Sequence, residues 1–176
     1  MTEAAITPLF GEAEIAARIE AMAGEISAAL PPDLVVVALL KGSFMFAADL
    51  MRALHRRKMH PSVDFMTLES YGDHTVSRGT VTMNRSLSDD VRGRDVLLVD
   101  DILESGRTLH FARNILQSGG ARSVKIAVLL EKPGKCLMPG FGADFVGFST
   151  PDRFVVGYGL DHAGRYRELP FIGAVA

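Results

Sequence analysis

Three stretches of the chain are aliphatic almost without interruption: DLVVVALL (33–40), RDVLLVDD (94–101) and SVKIAVLLEK (123–132). Runs this short and this rich in Val, Ile and Leu are strands buried on both faces, which is how strands of a parallel sheet read. Both faces must then be covered by helices, and the intervening sequence supplies them. Ile15, Ile19, Met22, Ile26 and Leu30 recur at spacings of three and four, predicting an amphipathic helix over 12–30 that Pro31-Pro32 terminates. Ser43 is placed to cap a second helix running to about Arg57, with Phe44, Ala47, Ala48 and Met51 on its inner face. A third spans 105–118 and ends at Gly119-Gly120. Strand, helix, strand in this order gives right-handed crossovers, a mostly parallel sheet, and ligands bound where strand C-terminal ends meet loops.

The remaining segments elaborate that core. VDFMTLES and TVTMNRSL read as strands, and YGDHTVSRGT (71–80) between them as a long loop. ADFVGFSTPDRFVVGYGLD supplies irregular strands that look appended to the main sheet. No repeat, linker or low-complexity stretch divides the chain, so residues 1–176 are expected to form a single α/β domain.

Composition narrows the partners. A net charge of -2 offers no general attraction to nucleic acid, and the short basic run His55-Arg56-Arg57-Lys58 suits the C-terminal end of a helix, where cations complement the dipole. The single cysteine, Cys136, excludes an internal disulfide and a Cys-rich zinc site, and no two of the five histidines have convincing metal spacing. No apolar run reaches the ~20 residues that span a bilayer, and no leader-like segment opens the chain. The expectation is a cytoplasmic protein with neither a membrane nor a nucleic acid as partner.

The chemistry concentrates in VLLVDDILESGRTL (96–109). Two adjacent carboxylates, Asp100 and Asp101, beside an apolar core must meet a cation or hydroxyl donors, because desolvation and mutual repulsion add. Mg²⁺ takes one or two carboxylates and completes its octahedron with waters and substrate phosphates, while vicinal sugar hydroxyls can donate to the remaining oxygens. Glu104-Ser105-Gly106-Arg107-Thr108 then opens a helix, where free N–H groups, hydroxyls and a permissive glycine make an anion cradle. The plainer alternative is that Asp101 or Glu104 only caps the helix. Neither GxxxxGK nor GxGxxG occurs in the chain, so an ordinary nucleotide loop does not account for the pattern.

This segment resembles the signature of the type I phosphoribosyltransferases, and the other motifs resemble the hypoxanthine and guanine branch of that family. The resemblance implies a parallel sheet flanked by helices, with a small hood from the N- and C-terminal segments. It also implies transfer of a 5-phosphoribosyl group from phosphoribosyl pyrophosphate to a 6-oxopurine, with Mg²⁺ as cofactor and a homodimer or homotetramer as assembly. Asp100 and Asp101 would meet the ribose hydroxyls and the metal, and Ser105, Gly106, Arg107 and Thr108 the 5-phosphate. LLKGS resembles the pyrophosphate loop, giving that role to Leu40, Lys41 and Gly42, with an unusual cis peptide before Lys41. SYGDHTVSRGTV resembles the mobile loop that closes over the site, Ser70-Tyr71 being its most specific feature.

EKPGK and PDRFVVGYGLDHAGRYRELPFIG resemble the purine-recognition and C-terminal segments. They imply Lys132 at the purine 6-oxo group, Phe154 stacked on the ring, Val155 at the base edge through its backbone, Asp161 on a second Mg²⁺, and Arg167 at the pyrophosphate. Read without the resemblance, Phe154-Val155-Val156 is strand core and Lys132 a surface lysine. Departures from the family pattern are His162 where it commonly has Tyr, Gly164 where it often has Glu, and Glu104 where the carboxylate facing purine N7 is usually Asp. A regulator on the same fold, binding nucleotides or RNA without turnover, is the rival reading.

Overall fold

The computed structural model describes residues 5–71, 80–83 and 90–175. In chain order the elements are β1 (Ile6–Phe10), α1 (Glu12–Ala29), β2 (Val35–Leu40), α2 (Phe44–Arg56), β3 (Ser62–Tyr71), β4 (Thr80–Met83), β5 (Asp95–Leu103), α3 (Arg107–Ser118), β6 (Ser123–Glu131), β7 (Phe145–Ser149), β8 (Val155–Val156) and β9 (Ile172–Val175). Six strands form one sheet in the order β4-β3-β2-β5-β6-β7. All neighbours in it run parallel except β4, which is antiparallel to β3.

The aliphatic runs are buried on both faces, as their composition demands. Val36, Ala38, Leu97, Val99, Ala127 and Leu129 pack with Ile15, Ile19, Met22 and Ile26 of α1 and with Phe46, Leu50 and Leu54 of α2. The alternate residues Val35, Val37, Leu39, Val96, Leu98, Ile126 and Val128 pack with Leu109, Ala112 and Leu116 of α3. Period-two alternation thus divides each strand between two cores.

The order of the strands places the site. From β2 the chain moves outward to β3, whereas β5, on the other side of β2, leads outward through β6 to β7. The direction of winding reverses between β2 and β5, and at such a switch point the loops leaving the two strands diverge and open a crevice. Register agrees: β2 is paired with β3 as far as Leu40↔Thr67, but with β5 only as far as Ala38↔Val99. Beyond Val99 the two strands part, and the parting falls at Asp100 and Asp101.

Four local expectations are corrected. Asp100 and Asp101 do not end their strand, since β5 continues to Leu103 and stays paired with β6 through Leu103↔Glu131. The segment from Phe145 to Ser149 is not appended, because it pairs in parallel with β6 as the edge of the main sheet. Ser43 makes no side-chain cap, its hydroxyl donating instead to the Leu39 carbonyl. The inner face of α2 is Phe46, Ala47, Leu50, Ala53 and Leu54, while Phe44 is 41% exposed and Ala48 faces solvent. Two apolar stripes compete along that helix, and the longer one wins.

The hood is a separate antiparallel sheet, β1-β9-β8, made of the chain's two ends. Ile6–Phe10 is a strand that no local sequence pattern marks. It pairs with β9 from Ile6↔Val175 to Phe10↔Ile172, with a register shift between Pro8 and Phe10.

Candidate active site

Where β2 and β5 diverge lies a cleft of about 350 Å³. Leu40, Lys41 and Gly42 form one wall; Asp100, Asp101, Glu104, Ser105, Gly106 and Thr108 form the other. A larger groove of about 520 Å³ runs along α1 and α2, where Glu20 pairs with Arg56, and Asp49 with Arg52 and the Tyr158 hydroxyl. The smaller cleft is where unsatisfied charge collects.

The walls meet tightly. A Cβ on Gly42 would overlap the Asp101 carboxylate, so only glycine fits, and the Gly42 carbonyl in turn lies against Gly159. The Leu40–Lys41 peptide is cis. Gly106 has φ of +76° in the left-handed region, the conformation that turns β5 into the first residue of α3, Arg107. The start of this helix borders the cleft through Ser105, Gly106 and Thr108, and the Arg107 N–H donates to the Ser105 hydroxyl at 3.4 Å. Arg107 is exposed and does not line the cleft.

Asp100 and Asp101 are strained electrostatically. Burial, and then the charge of Asp101, pushes Asp100 well above the usual carboxylate range, although the Asp101 N–H donates to its Oδ1 at 3.0 Å. Burial also raises Asp101, partly offset by a hydrogen bond from Ile102, its bond to Asp100 and the charge of Arg167. A divalent cation would reverse both shifts. Among the described residues no group of three His, Cys, Asp or Glu side chains could cage a metal. Two adjacent carboxylates opening onto a cleft are a donor set that fits an ion keeping water and substrate oxygens, as Mg²⁺ does.

Lys132 joins this cleft because its N–H donates to the Leu103 carbonyl at 3.0 Å, just after β6 leaves the sheet. Its side chain is only 9% exposed, with Nζ 3.2 Å from Glu104 Oε1 and 3.7 Å from Asp152 Oδ1. Asp152 also holds Lys135, at 2.5 Å. Phe154 leaves 54% of its surface exposed, its ring meeting His162 edge-on at 5.2 Å, while Val155 is buried in β8. Asp161 pairs with Arg167 at 2.6 Å and accepts the Gly164 N–H, and Arg167 donates to the Gly159 carbonyl at 2.5 Å. Through Gly159 and Gly42 this C-terminal segment touches the β2 loop.

Nine of the residues singled out from the sequence thus line one cleft: Leu40, Lys41, Gly42, Asp100, Asp101, Glu104, Ser105, Gly106 and Thr108. Lys132 reaches it through Glu104, and Arg167 through Gly159. Phe154, Val155 and Asp161 lie outside its lining. Ser70 and Tyr71 close β3, but their side chains and residues 72–79 lie outside the described residues. Sequence reading passed over Asp152, whose role depends on an ion pair across twenty residues, and Gly159, whose neighbour is more than a hundred residues away.

The chain is similar to known phosphoribosyltransferases. The family model described as a phosphoribosyl transferase domain matches residues 11–163. The hypoxanthine phosphoribosyltransferase of Escherichia coli is 46% identical over 167 residues, covering 93% of this chain and 92% of that protein. The hypoxanthine-guanine phosphoribosyltransferase of Bacillus subtilis is 40% identical over 168 residues, covering 95% and 91%. A crystal structure of a hypoxanthine-guanine phosphoribosyltransferase from Bacillus anthracis superposes with a TM-score of 0.91 at 36% identity, covering 99% of this chain and 100% of that one.

Proposed function

Because the chain belongs to the phosphoribosyl transferase family, we infer that it is a purine-salvage enzyme, a hypoxanthine phosphoribosyltransferase. It transfers the 5-phosphoribosyl group of phosphoribosyl pyrophosphate to hypoxanthine, giving IMP and pyrophosphate; guanine, giving GMP, is the proposed second substrate. The observation that carries this reading is the facing of two half-buried, adjacent carboxylates by a glycine-lined loop and a helix N-terminus in one cleft at the sheet's switch point.

In the proposed assignment, N–H groups and hydroxyls of Ser105, Gly106, Arg107 and Thr108 hold the 5-phosphate, as a helix start holds an anion. Asp100 and Asp101 accept from the ribose hydroxyls and would hold Mg²⁺. The chemistry such an ion would supply there is neutralisation of charge on the departing pyrophosphate. Leu40, Lys41 and Gly42 receive the pyrophosphate, Lys41 as a cation and Gly42 because a side chain there would strike Asp101. Arg167 serves the same group, and Asp161, released from its pair with Arg167, would hold a second Mg²⁺ directly or through water. Each of these groups acts on charge that grows as the C1′–O bond breaks, where electrostatic stabilisation counts most.

The purine lies between Lys132, whose ammonium donates to the 6-oxo group, and the exposed ring of Phe154, with Val155 at the base edge through its backbone. Glu104 faces N7 and moves the proton while N9 attacks C1′. In the free protein Lys132 and Glu104 pair with each other, and the base parts them, offering the lysine an acceptor and the carboxylate a proton. Adenine presents a donor where Lys132 also donates, and a site left with an unpaired buried group discriminates strongly.

Lys132→Ala is expected to lower kcat/KM for hypoxanthine by about 1.5–3 kcal/mol, the worth of a hydrogen bond to a charged group, while phosphoribosyl pyrophosphate affinity changes much less. Steady-state kinetics varying each substrate in turn checks this. Equal losses for both substrates mean that Lys132 holds the fold around Glu104 and Asp152 instead.

We place the enzyme in the cytoplasm, a reading supported by its lone cysteine, which leaves no disulfide framework within the chain. Among the described residues no helix is long and apolar enough to cross a membrane. A homodimer or homotetramer is supported by Phe44, Val63 and Phe65, large apolar side chains left exposed. Pyrophosphate release measured with hypoxanthine, guanine, xanthine and adenine, alongside RNA binding at physiological salt, tests the assignment. Turnover with 6-oxopurines but not adenine supports it; RNA binding without purine-dependent turnover points to a regulator on this fold.

A further inference from the structure

Residues 132–144 connect β6 to β7, and part of this segment folds beneath the start of α3. The Leu137 N–H donates to the Ser105 carbonyl at 3.0 Å. Directly below the next residue, a Cβ on Gly106 would lie 2.8 Å from Cys136 Sγ and 3.2 Å from Phe141 Cδ1. The turn that begins α3 therefore rests on these two side chains with no room for a methyl group between.

Phe141 is itself held from the helix side. The Arg113 guanidinium lies 4.6 Å from its ring centroid, and the His110 ring meets it edge-on at 5.5 Å. Arg113 Nε is buried with no hydrogen-bond partner among the described residues, so contact with the ring face offsets part of that loss. The Cys136 thiol donates to the Phe141 carbonyl at 3.5 Å and closes the segment on itself. One ring thus touches the phosphate-binding turn at Gly106 and the first two turns of α3 at His110 and Arg113. It acts as a wedge between them.

We propose that Phe141, seated beside Cys136, is a positioning residue that sets the geometry of the 5-phosphate turn. The proposal rests on the reading that residues 105–108 hold that phosphate. An anion at a helix start is gripped by several N–H groups at once, and each bond weakens steeply as its angle falls away from linear. Without the ring, Gly106 and the N–H groups after it relax into the space it leaves. Lys132 of the base site heads the same connection and accepts the Lys135 N–H at 3.2 Å, but its ammonium is held by Glu104 and Asp152 rather than by Phe141.

The test is steady-state kinetics on Phe141→Ala, Phe141→Leu and Phe141→Tyr, with Thr108→Ala as a direct probe of the phosphate turn and thermal midpoints recorded for all. Phe141→Ala is expected to raise KM for phosphoribosyl pyrophosphate about tenfold, within what a displacement of about 1 Å can cost, and to leave KM for hypoxanthine nearly unchanged. Phe141→Leu falls between, and should Phe141→Ala fail to fold it carries the same comparison. Phe141→Tyr, which keeps the ring, stays close to wild type. Loss of affinity for both substrates in parallel, or failure of tyrosine to restore the phosphoribosyl pyrophosphate KM, overturns the proposal. If Thr108→Ala weakens phosphoribosyl pyrophosphate binding and Phe141→Ala does not, the wedge is wrong and the phosphate site stands. If neither does, the phosphate assignment fails and takes the wedge with it.

Discussion

The double variant Asp100→Asn/Asp101→Asn is expected to bind Mg²⁺-phosphoribosyl pyrophosphate at least about 100-fold more weakly than wild type while melting at or above the wild-type temperature at neutral pH. Two charged contacts at about 1.5–3 kcal/mol each give the loss in affinity. The gain in stability follows from the direction of the shifts. Burial raises both acids, and the Asp101 charge raises Asp100 further, so ionisation is costlier in the folded chain than in the unfolded one. For such groups the penalty is absent below the ordinary carboxylate range and grows as pH rises through the raised values. Asparagine keeps the shape and cannot ionise. Calorimetric titration with the substrate, and melting curves from pH 4 to 8 without metal, check both halves. Unchanged affinity, or a variant that does not fold, contradicts the assignment.

Glu104→Gln is expected to lower kcat at least tenfold, within the about 10²–10⁴-fold that a positioned general acid or base contributes, with little change in either KM. Glu104→Asp keeps substantial activity. The side chain is half exposed and tethered at 3.2 Å by Lys132. That tether orients a carboxylate one methylene longer than the family's usual aspartate. In the glutamine variant Lys132 retains Asp152 as a charged partner, so the base site stays intact and the loss reports on proton transfer. Wild-type turnover by the glutamine variant across pH 6 to 9 means Glu104 is not the base, leaving it the simpler role of a carboxylate near a helix start.

What could be read from the sequence followed how local the cause is. Val35–Leu40, Asp95–Leu103 and Ser123–Glu131 are legible because burial on both faces leaves aliphatic residues at nearly every position. The acid pair and the helix start after it are legible because their conflict is between adjacent residues. Ile6–Phe10 is not, since it is mostly half-buried or exposed, contains Pro8, and becomes a strand only by pairing with residues near the other end of the chain. The two-residue strand Val155–Val156 is too short to carry a period. In α2 Phe44 and Ala48 have the right spacing yet are exposed, and Met51 only packs at the margin of the core, because the sheet beneath accommodates Phe46, Leu50 and Leu54. Asp152, Gly159 and Phe141 matter through neighbours that only the fold brings near, and no spacing rule reaches them.

Purified protein incubated with Mg²⁺, phosphoribosyl pyrophosphate and hypoxanthine tests the central claim most directly, by quantifying IMP and pyrophosphate together. Equal amounts of the two, formed only when all three components are present and abolished in the Asp100→Asn/Asp101→Asn variant, are the predicted result. Pyrophosphate formed without hypoxanthine, no IMP at all, or IMP formed undiminished by the double variant would contradict it.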